Sequence, residues 1–185
     1  THFIKDEFAI KDTKFSNFVF NKKELTLSEI KGGLIFYGKG NCASCHGGPL
    51  FSDLNFYSIP FPQIGFGKNG FGVDYGKFNV TFNPDDLYKF RTPPLYNVEN
   101  TFPYSHSGSV YDLKESIIYH FDPLRNYKPE EYSEIDRNEY YKKLTSSGSE
   151  MELIPYLDDN ELDNLVDFLK TLSFSSKDQK LTKAN

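Results

Sequence analysis

Both cysteines of this 185-residue chain fall in one pentapeptide, Cys42-Ala43-Ser44-Cys45-His46. Two thiols three positions apart, with an imidazole directly behind the second, form the C-x-x-C-H pattern of covalent c-type haem attachment. The thiols add across the two porphyrin vinyl groups, and the short loop sets His46 beneath the iron as proximal axial ligand. Two other chemistries use the same residue types. A structural zinc or iron–sulfur site needs about four thiolate or imidazole ligands, and two cysteines fall short of that. A thioredoxin-like C-x-x-C sits in a βαβ context, whereas Gly47-Gly48-Pro49 follows here in place of a helix.

A second axial ligand must come from elsewhere in the chain. The candidates are His120, His106, Met151 and His2. His120 shares an apolar helical face with Leu113 and Ile117, so its imidazole is expected to be buried. A buried imidazole needs partners for its ring nitrogens. Iron is one such partner, and a core histidine bonded to a carbonyl is the other reading. Met151 follows the polar stretch 145–150 and reads equally as a gap filler, and His2 lies in a terminal segment.

Three helices must hold these groups. The first begins at Thr26, which pairs with Glu29 in a T-x-x-E capping box. Ile30, Leu34 and Tyr37 recur along it at helical spacing, and Gly38 and Gly40 stop it just before the cysteines. The second begins at Asp112, with Glu115 as box partner, and carries Leu113, Ile117, His120 and Phe121. Asp122-Pro123 ends it, because a residue before proline avoids the α region. The third begins at Asp158 with Glu161, and Leu162, Leu165, Leu169 and Leu172 form its stripe. That stripe needs a partner, and the first helix is the expected one. Between His46 and Asp112 runs a long Gly-, Pro-, Phe- and Tyr-rich stretch, with 55–59 and 77–82 as candidate short strands. So long an irregular segment points to function; a bound haem can act as the core that such loops wrap.

Composition narrows the class. The chain has 18 Phe and 13 Tyr against one Met and no Trp. Those rings could line a flat apolar cofactor or simply reflect a background rich in Phe, Tyr, Lys and Asn. Net charge is −5 and no basic run interleaves with aromatics, so nucleic acid is not an expected partner. No run of about 18 apolar residues is present, so no membrane-spanning segment is expected. The sequence starts at Thr1 without a signal peptide, which reads as a processed, trimmed or excised chain. Asp85-Asp86 and Asp158-Asp159 read as caps and solvated turns rather than metal sites.

Several runs resemble one family. Gly33-Leu34-Ile35-Phe36, Lys39 and CASCHGGPLFSD are similar to the haem-attachment region of the bacterial di-haem cytochrome c peroxidase and MauG family. So are KFRTPPLYNVENTFPYSHSGSVYDLKESIIYHFDPLRNY, from Lys89 to Tyr127, and the closing LVDFLKTL. The match runs over about residues 15–172 and concerns the second, C-terminal haem domain. The resemblance implies an all-α cytochrome c-like fold with long irregular loops and at most a short β-hairpin. It divides the chain into an N-terminal extension at 1–25 that packs on or leads to another domain, a haem domain at 26–172, and a flexible tail at 173–185.

The resemblance also assigns residues. The distal ligand in the family sits eight positions along from the leucine that opens the second helix, and from Leu113 that position is His120. Relatives carry Met or Tyr there in some cases. Arg91 corresponds to a basic position near the propionates, and Arg pairs well with carboxylates. The following L-R-N of relatives is here Leu95-Tyr96-Asn97, so part of that charge pattern is missing. His106 matches a position near the haem edge that is not normally a ligand and suits a supporting or inter-domain hydrogen bond. Thr101 and Pro103 match carbonyls that help hold an inter-domain calcium, whose remaining ligand comes from a first domain not among these residues.

Three functions follow as expectations. One is an electron-transfer module with one covalent haem c closed by His46 and His120, relaying electrons to another haem domain or redox protein. The second is the catalytic part of a cytochrome c peroxidase or MauG-like enzyme. The third is a haem-bearing binding module of a larger assembly. In the family the first haem reacts with peroxide and the second supplies electrons, so this chain leans towards the relay. Covalent haem attachment in the family takes place outside the cytoplasm, so a periplasmic or other extracytoplasmic location is expected.

Overall fold

Helix starts are written locally in this chain, and the capping residues show where. In the computed structural model of the protein, residues 12–63, 73–152 and 154–174 are described, apart from the side chains of Glu150 and Met151. Thr13 caps α1 (Lys14–Asn21) and Thr26 caps α2 (Leu27–Tyr37), each closing a reciprocal box with the residue three positions on. Asp158 and Glu161 do the same for α7 (Asp159–Lys170). Asp112 caps α4 (Leu113–Ile118) by accepting from the Glu115 N–H. Each box satisfies amide donors that have no intrahelical partner.

The fold is all-α and cytochrome c-like, built on the pair α2 and α7. The α7 stripe Leu162, Leu165, Leu169 and Leu172 is buried as expected, together with Phe168. The α2 face it meets is not the expected one. Ile30, Leu34 and Tyr37 are 41%, 69% and 54% exposed, whereas Gly32, Ile35 and Phe36 are buried. The reason is Gly32: any Cβ there would run into the Asn164 carbonyl and Phe168. The bare glycine lets the two backbones close, which turns Phe36 inward. Phe15, Phe36 and Phe168 then pack with Phe51 with ring centroids 5.2–6.1 Å apart, edge to face except for the tilted Phe36–Phe168 pair, and edge-to-face contact is favoured by the ring quadrupole. Thr13 pairs with Phe174, and the Phe15 N–H donates to the Thr171 carbonyl at 3.0 Å, so α1 is tied to the end of α7.

The single sheet among the described residues is two residues wide on each side. Phe56–Tyr57 (β1) pairs antiparallel with Phe90–Arg91 (β2). The first candidate strand thus holds β1, but the second is helical: α3 spans Phe78–Thr81. Side-chain bonds curl that segment. Asn79 donates to Asp74 at 2.7 Å, Thr81 donates to Asp86 at 2.9 Å, and Lys77 pairs with Asp86 at 2.8 Å.

Three helices carry no expectation from the sequence: α1, α5 (Glu134–Ser146), capped by Ser133, and α6 (Gly148–Met151). α5 is polar, yet Tyr140, Lys143 and the following Ser147 are buried. The Tyr140 hydroxyl donates to the Pro123 carbonyl at 2.9 Å, and Ser147 meets Ser58 at 2.8 Å. α4 is shorter than the apolar pattern suggested. Its last turns tighten, with His120 N–H reaching back three residues to Ile117 and Phe121 N–H to Ile118. That tightening brings the chain to Asp122-Pro123, where it must leave the helix. The tail from 175 onward and His2 lie outside the described residues.

The glycine contact gives a direct test. In a helix, Gly→Ala ordinarily gains up to about 1 kcal/mol from propensity. Gly33 has Phe168 at 3.3 Å as its nearest neighbour, so Gly33→Ala should change stability by less than about 1 kcal/mol. Gly32→Ala should instead lose about 2–3 kcal/mol through overpacking. Urea unfolding followed by far-ultraviolet circular dichroism compares the two; equal midpoints would remove the close α2–α7 approach as a constraint.

Candidate functional site

Between the helix pair and the long loops lies one apolar cavity of about 600 Å³, within the range of about 300–1,000 Å³ typical of ligand and cofactor sites. All six residues singled out from the sequence reach its wall: Cys42, Cys45, His46, Arg91, His106 and His120. Residues up to 78 positions apart, Cys42 to His120, are thereby brought to one space.

The cysteine loop is set by the end of α2. Gly38 and Gly40 break the helix, and the Gly40 N–H returns to the Ile35 carbonyl at 2.7 Å. A Cβ at Gly40 would press on that carbonyl at 2.8 Å and on the Cys42 sulfur at 3.2 Å. Cys42 to Ser44 form a single 3-10 turn after Asn41, and the His46 N–H closes it by donating to the Cys42 carbonyl at 2.8 Å. Both thiols are free and half-buried. Burial pushes the Cys42 thiol up to about 12. Beside Cys45, the Tyr57 hydroxyl donates to Asp53 at 2.7 Å, and that carboxylate, with burial and the thiol nearby, pushes the phenol up.

The two histidines are built alike. His46 Nδ1 lies 3.2 Å from the Phe51 carbonyl, and His120 Nδ1 lies 2.9 Å from the Ser116 carbonyl one helical turn back. A carbonyl only accepts, so in each neutral ring Nδ1 carries the proton and Nε2 holds the lone pair. The Pro93 carbonyl also faces the His46 ring. Phe51 supplies its carbonyl from a left-handed conformation, φ +52°, while its ring is locked in the aromatic core. That conformation is costly for a bulky residue, so the core packing holds the acceptor in place. Burial lowers the basicity of both imidazoles. For His120, set in the cavity wall with His46 close by, desolvation and that neighbour bring the value down to about 4. Phe61 stands edge-on to the His120 ring at 5.7 Å between centroids and tilts onto Tyr119 at 5.2 Å.

The other predicted residues stand differently. His106 Nε2 is 2.9 Å from an Asp74 oxygen, and its ring lies flat on Phe90 at 3.9 Å between centroids. Both features commit the ring to the wall. Arg91 is exposed and forms no ion pair among the described residues. Thr101 and Pro103 line the same cavity, and among the described residues no group of three or more His, Cys, Asp or Glu converges to hold a metal ion. Asp86 is a buried partner of Lys77, whereas Asp158 is a cap. The Met151 side chain lies outside the described set. Reasoning from sequence missed the two carbonyl acceptors, Asp74 behind His106, and Lys143. The last had a signal, since Tyr140, Lys143 and Ser147 recur at helical spacing on an otherwise polar helix.

These features fit a c-type haem: an apolar slot, two thiols and an imidazole on one loop, and a second imidazole lining the same space. Fold and site together define a cytochrome c-like domain. No family model matches the chain. Among curated proteins it is 32% identical over 123 residues to the cytochrome-c peroxidase IdrP1 of a Pseudomonas species, covering 54% of this chain and 32% of that one. It is 26% identical over 187 residues to the methylamine utilization protein MauG of Paracoccus denitrificans, covering 90% of this chain and 48% of MauG. A crystal structure of a MauG-like protein associated with microbial copper homeostasis superposes with a TM-score of 0.69 at 28% identity, over 89% of this chain and 52% of that one. The fold also matches the diheme peroxidase BthA of Burkholderia thailandensis, with a TM-score of 0.69. The chain is thus similar to bacterial cytochrome c peroxidases and MauG proteins, and it spans about a third to a half of the length of the relatives named here.

The thiol environment is testable on chain made without haem attachment. A thiol at about 12 holds only about 10⁻⁴ of its population as thiolate at pH 8, and thiolate is the reactive form. Cys42 should therefore be alkylated by iodoacetamide at least about a hundredfold more slowly than an ordinary cysteine of pKa about 8.5. Peptide mass mapping over time measures it; equal labelling of Cys42 and a free thiol standard would show that the thiol is not buried.

Proposed function

We propose that this chain is an electron-relay haem domain, carrying one haem c with His46 and His120 as its two axial ligands. The observation that supports it most is the paired construction of the two imidazoles, each with Nδ1 beside a main-chain carbonyl and both lining one cavity. Cys42 and Cys45 would hold the group by adding their S–H across its two vinyl bonds, with no leaving group. Bound there, an iron porphyrin supplies one-electron chemistry.

The residues of the chain do the rest. The Phe51 and Ser116 carbonyls keep the imidazole protons on Nδ1 and aim Nε2 at the metal position, as second-sphere acceptors do in metal sites generally. Phe61, Phe90 and the α7 leucines line the slot with apolar surface, and ligation by two imidazoles would favour a lower potential than a His/Met pair. With both imidazoles committed to the group, it would offer peroxide no free place. Arg91 would face a propionate and His106 would brace the edge of the slot. In this reading residues 26–172 form the haem domain, 1–25 an extension anchored through Thr13 and Phe15, and 173–185 a tail. No helix among the described residues is long and apolar enough to cross a membrane; we place the chain outside the cytoplasm because that is where thioether-linked haem is made in the family it resembles. The partner would be another haem domain or redox protein. Calcium would find only a part of its site at Thr101 and Pro103.

A second reading, the catalytic part of a peroxidase, is favoured by the likeness to cytochrome-c peroxidases. The two separate in one assay. Purified haem-bearing chain, given peroxide and a reduced donor, should turn over at least about a thousandfold more slowly than a typical enzyme at about 10 s⁻¹, with addition of a separate peroxide-reactive haem domain restoring the rate. Fast turnover by the chain alone would establish the catalytic reading.

Ligation is tested by substitution and by acid. The wild-type protein should gain the mass of one haem that survives denaturation and should have a low-spin spectrum. His120→Ala should convert it to high spin, and His106→Ala should not. Only the unprotonated imidazole binds iron, and burial with His46 nearby holds His120 neutral down to about pH 4. The low-spin spectrum should therefore persist below pH 6.5, where a free histidine protonates, and be lost only near or below about pH 4. Loss by pH 6, or a low-spin His120→Ala protein, would assign the ligand elsewhere.

A further inference from the structure

Lys143 is an anomaly on the cavity wall. It is 5% exposed, on a helix whose other lysine, Lys142, is in water. Burying an ammonium costs several kcal/mol unless it is paired, and Lys143 forms no ion pair among the described residues. Its Nζ donates to one group, the Phe61 carbonyl at 2.9 Å, and lies 5.6 Å from the centre of the Tyr88 ring. Two carboxylates are near enough to influence it, and both are engaged elsewhere. Asp74 takes His106, the Gly76 N–H and the Asn79 amide; Glu139 takes the Tyr88 hydroxyl and Lys142. Burial accordingly pushes the Lys143 amine down to about 7. Among the described residues the cavity wall thus holds a buried amine with hydrogen-bonding capacity to spare and no carboxylate committed to it.

The cofactor has the anions. Haem carries two propionates on the edge opposite its vinyl groups, so a haem joined to Cys42 and Cys45 turns its carboxylates away from that loop. Phe61, Pro62, Gln63, His106 and Lys143 form a polar stretch of the wall linked through Asp74 and Ser107, and it shares no hydrogen bond with the Cys42–His46 loop. Resting on the haem reading above, we propose that Lys143 is the buried counter-ion of one haem propionate, leaving the exposed Arg91 for the other. The same amine, through the Phe61 carbonyl, seats the ring that stands against His120. Lys143 is thus a binding residue for the cofactor and a positioning residue for its distal ligand.

The test uses the purified haem-bearing protein at neutral pH. Lys143→Gln keeps a donor for the Phe61 carbonyl but removes the charge, Lys143→Met is a second neutral variant should the first fail to fold, and Lys143→Arg keeps the charge. A cation beside a propionate favours the reduced form. Spectroelectrochemical titration should therefore show the neutral variant shifted about tenfold towards ferric, about 59 mV lower for one electron, with the low-spin spectrum kept. Lys143→Arg should stay near wild type. A folded neutral variant, low-spin and with unchanged potential, would overturn the assignment. A wild-type protein that acquires no covalent haem would instead overturn the haem reading itself.

Discussion

The approach of α2 to α7 at Gly32 is the constraint from which the rest of the molecule is hung. Because nothing projects from Gly32, the Asn164 carbonyl and Phe168 come against the α2 backbone, and Phe36 is rolled into the core. Phe36 and Phe168 set the positions of Phe15 and Phe51. Phe51 then presents its carbonyl to His46. A helix crossing is in this way converted, through four rings, into the orientation of one imidazole. The cysteine loop depends on the same helix, since it is the exit from α2 at Gly38 and Gly40 that sets Cys42.

The cavity is the second organising body. A chain of this size has one modest core of its own, and here that core is confined to α2, α7 and the aromatic cluster. The described loops, Gly47 to Gln63 and Val73 to Tyr111, contribute much of the cavity wall, which explains how they manage with two two-residue strands, a short helix and two 3-10 turns. Their polar groups are satisfied locally: Ser52 donates to the Thr92 carbonyl at 2.8 Å, and Gln63 exchanges two bonds with the Asp74 backbone.

What the sequence disclosed was local or chemical. The boxes at Thr26/Glu29 and Asp158/Glu161 are four-residue signals and stand as read. C-x-x-C-H and His120, seven residues beyond Leu113, are likewise visible in short spans, and all reach one cavity. What stayed hidden depends on distant partners. The stripe Ile30–Leu34–Tyr37 has the periodicity of a core face, yet the true face centres on a residue with no side chain to register as apolar. Residues 77–82 have β-branched members, but Asp74 and Asp86 draw them into a helix. The acceptor carbonyls of Phe51 and Ser116 belong to the main chain and leave no trace in side-chain patterns, and Lys143 is masked by the polar residues around it.

That the two imidazoles lean on main-chain oxygens has a consequence for how this site can change over evolutionary time. A carboxylate acceptor would draw each ring towards imidazolate and could be deleted by one codon change. A carbonyl leaves the ring a neutral donor and survives any substitution at its own position that keeps the local backbone path. Ser116 can therefore drift in identity without releasing His120. Phe51 cannot drift as freely, because its left-handed conformation is held by its ring. The two sides of the same site are in this sense unequally evolvable, the distal side open to variation and the proximal side fixed by the core.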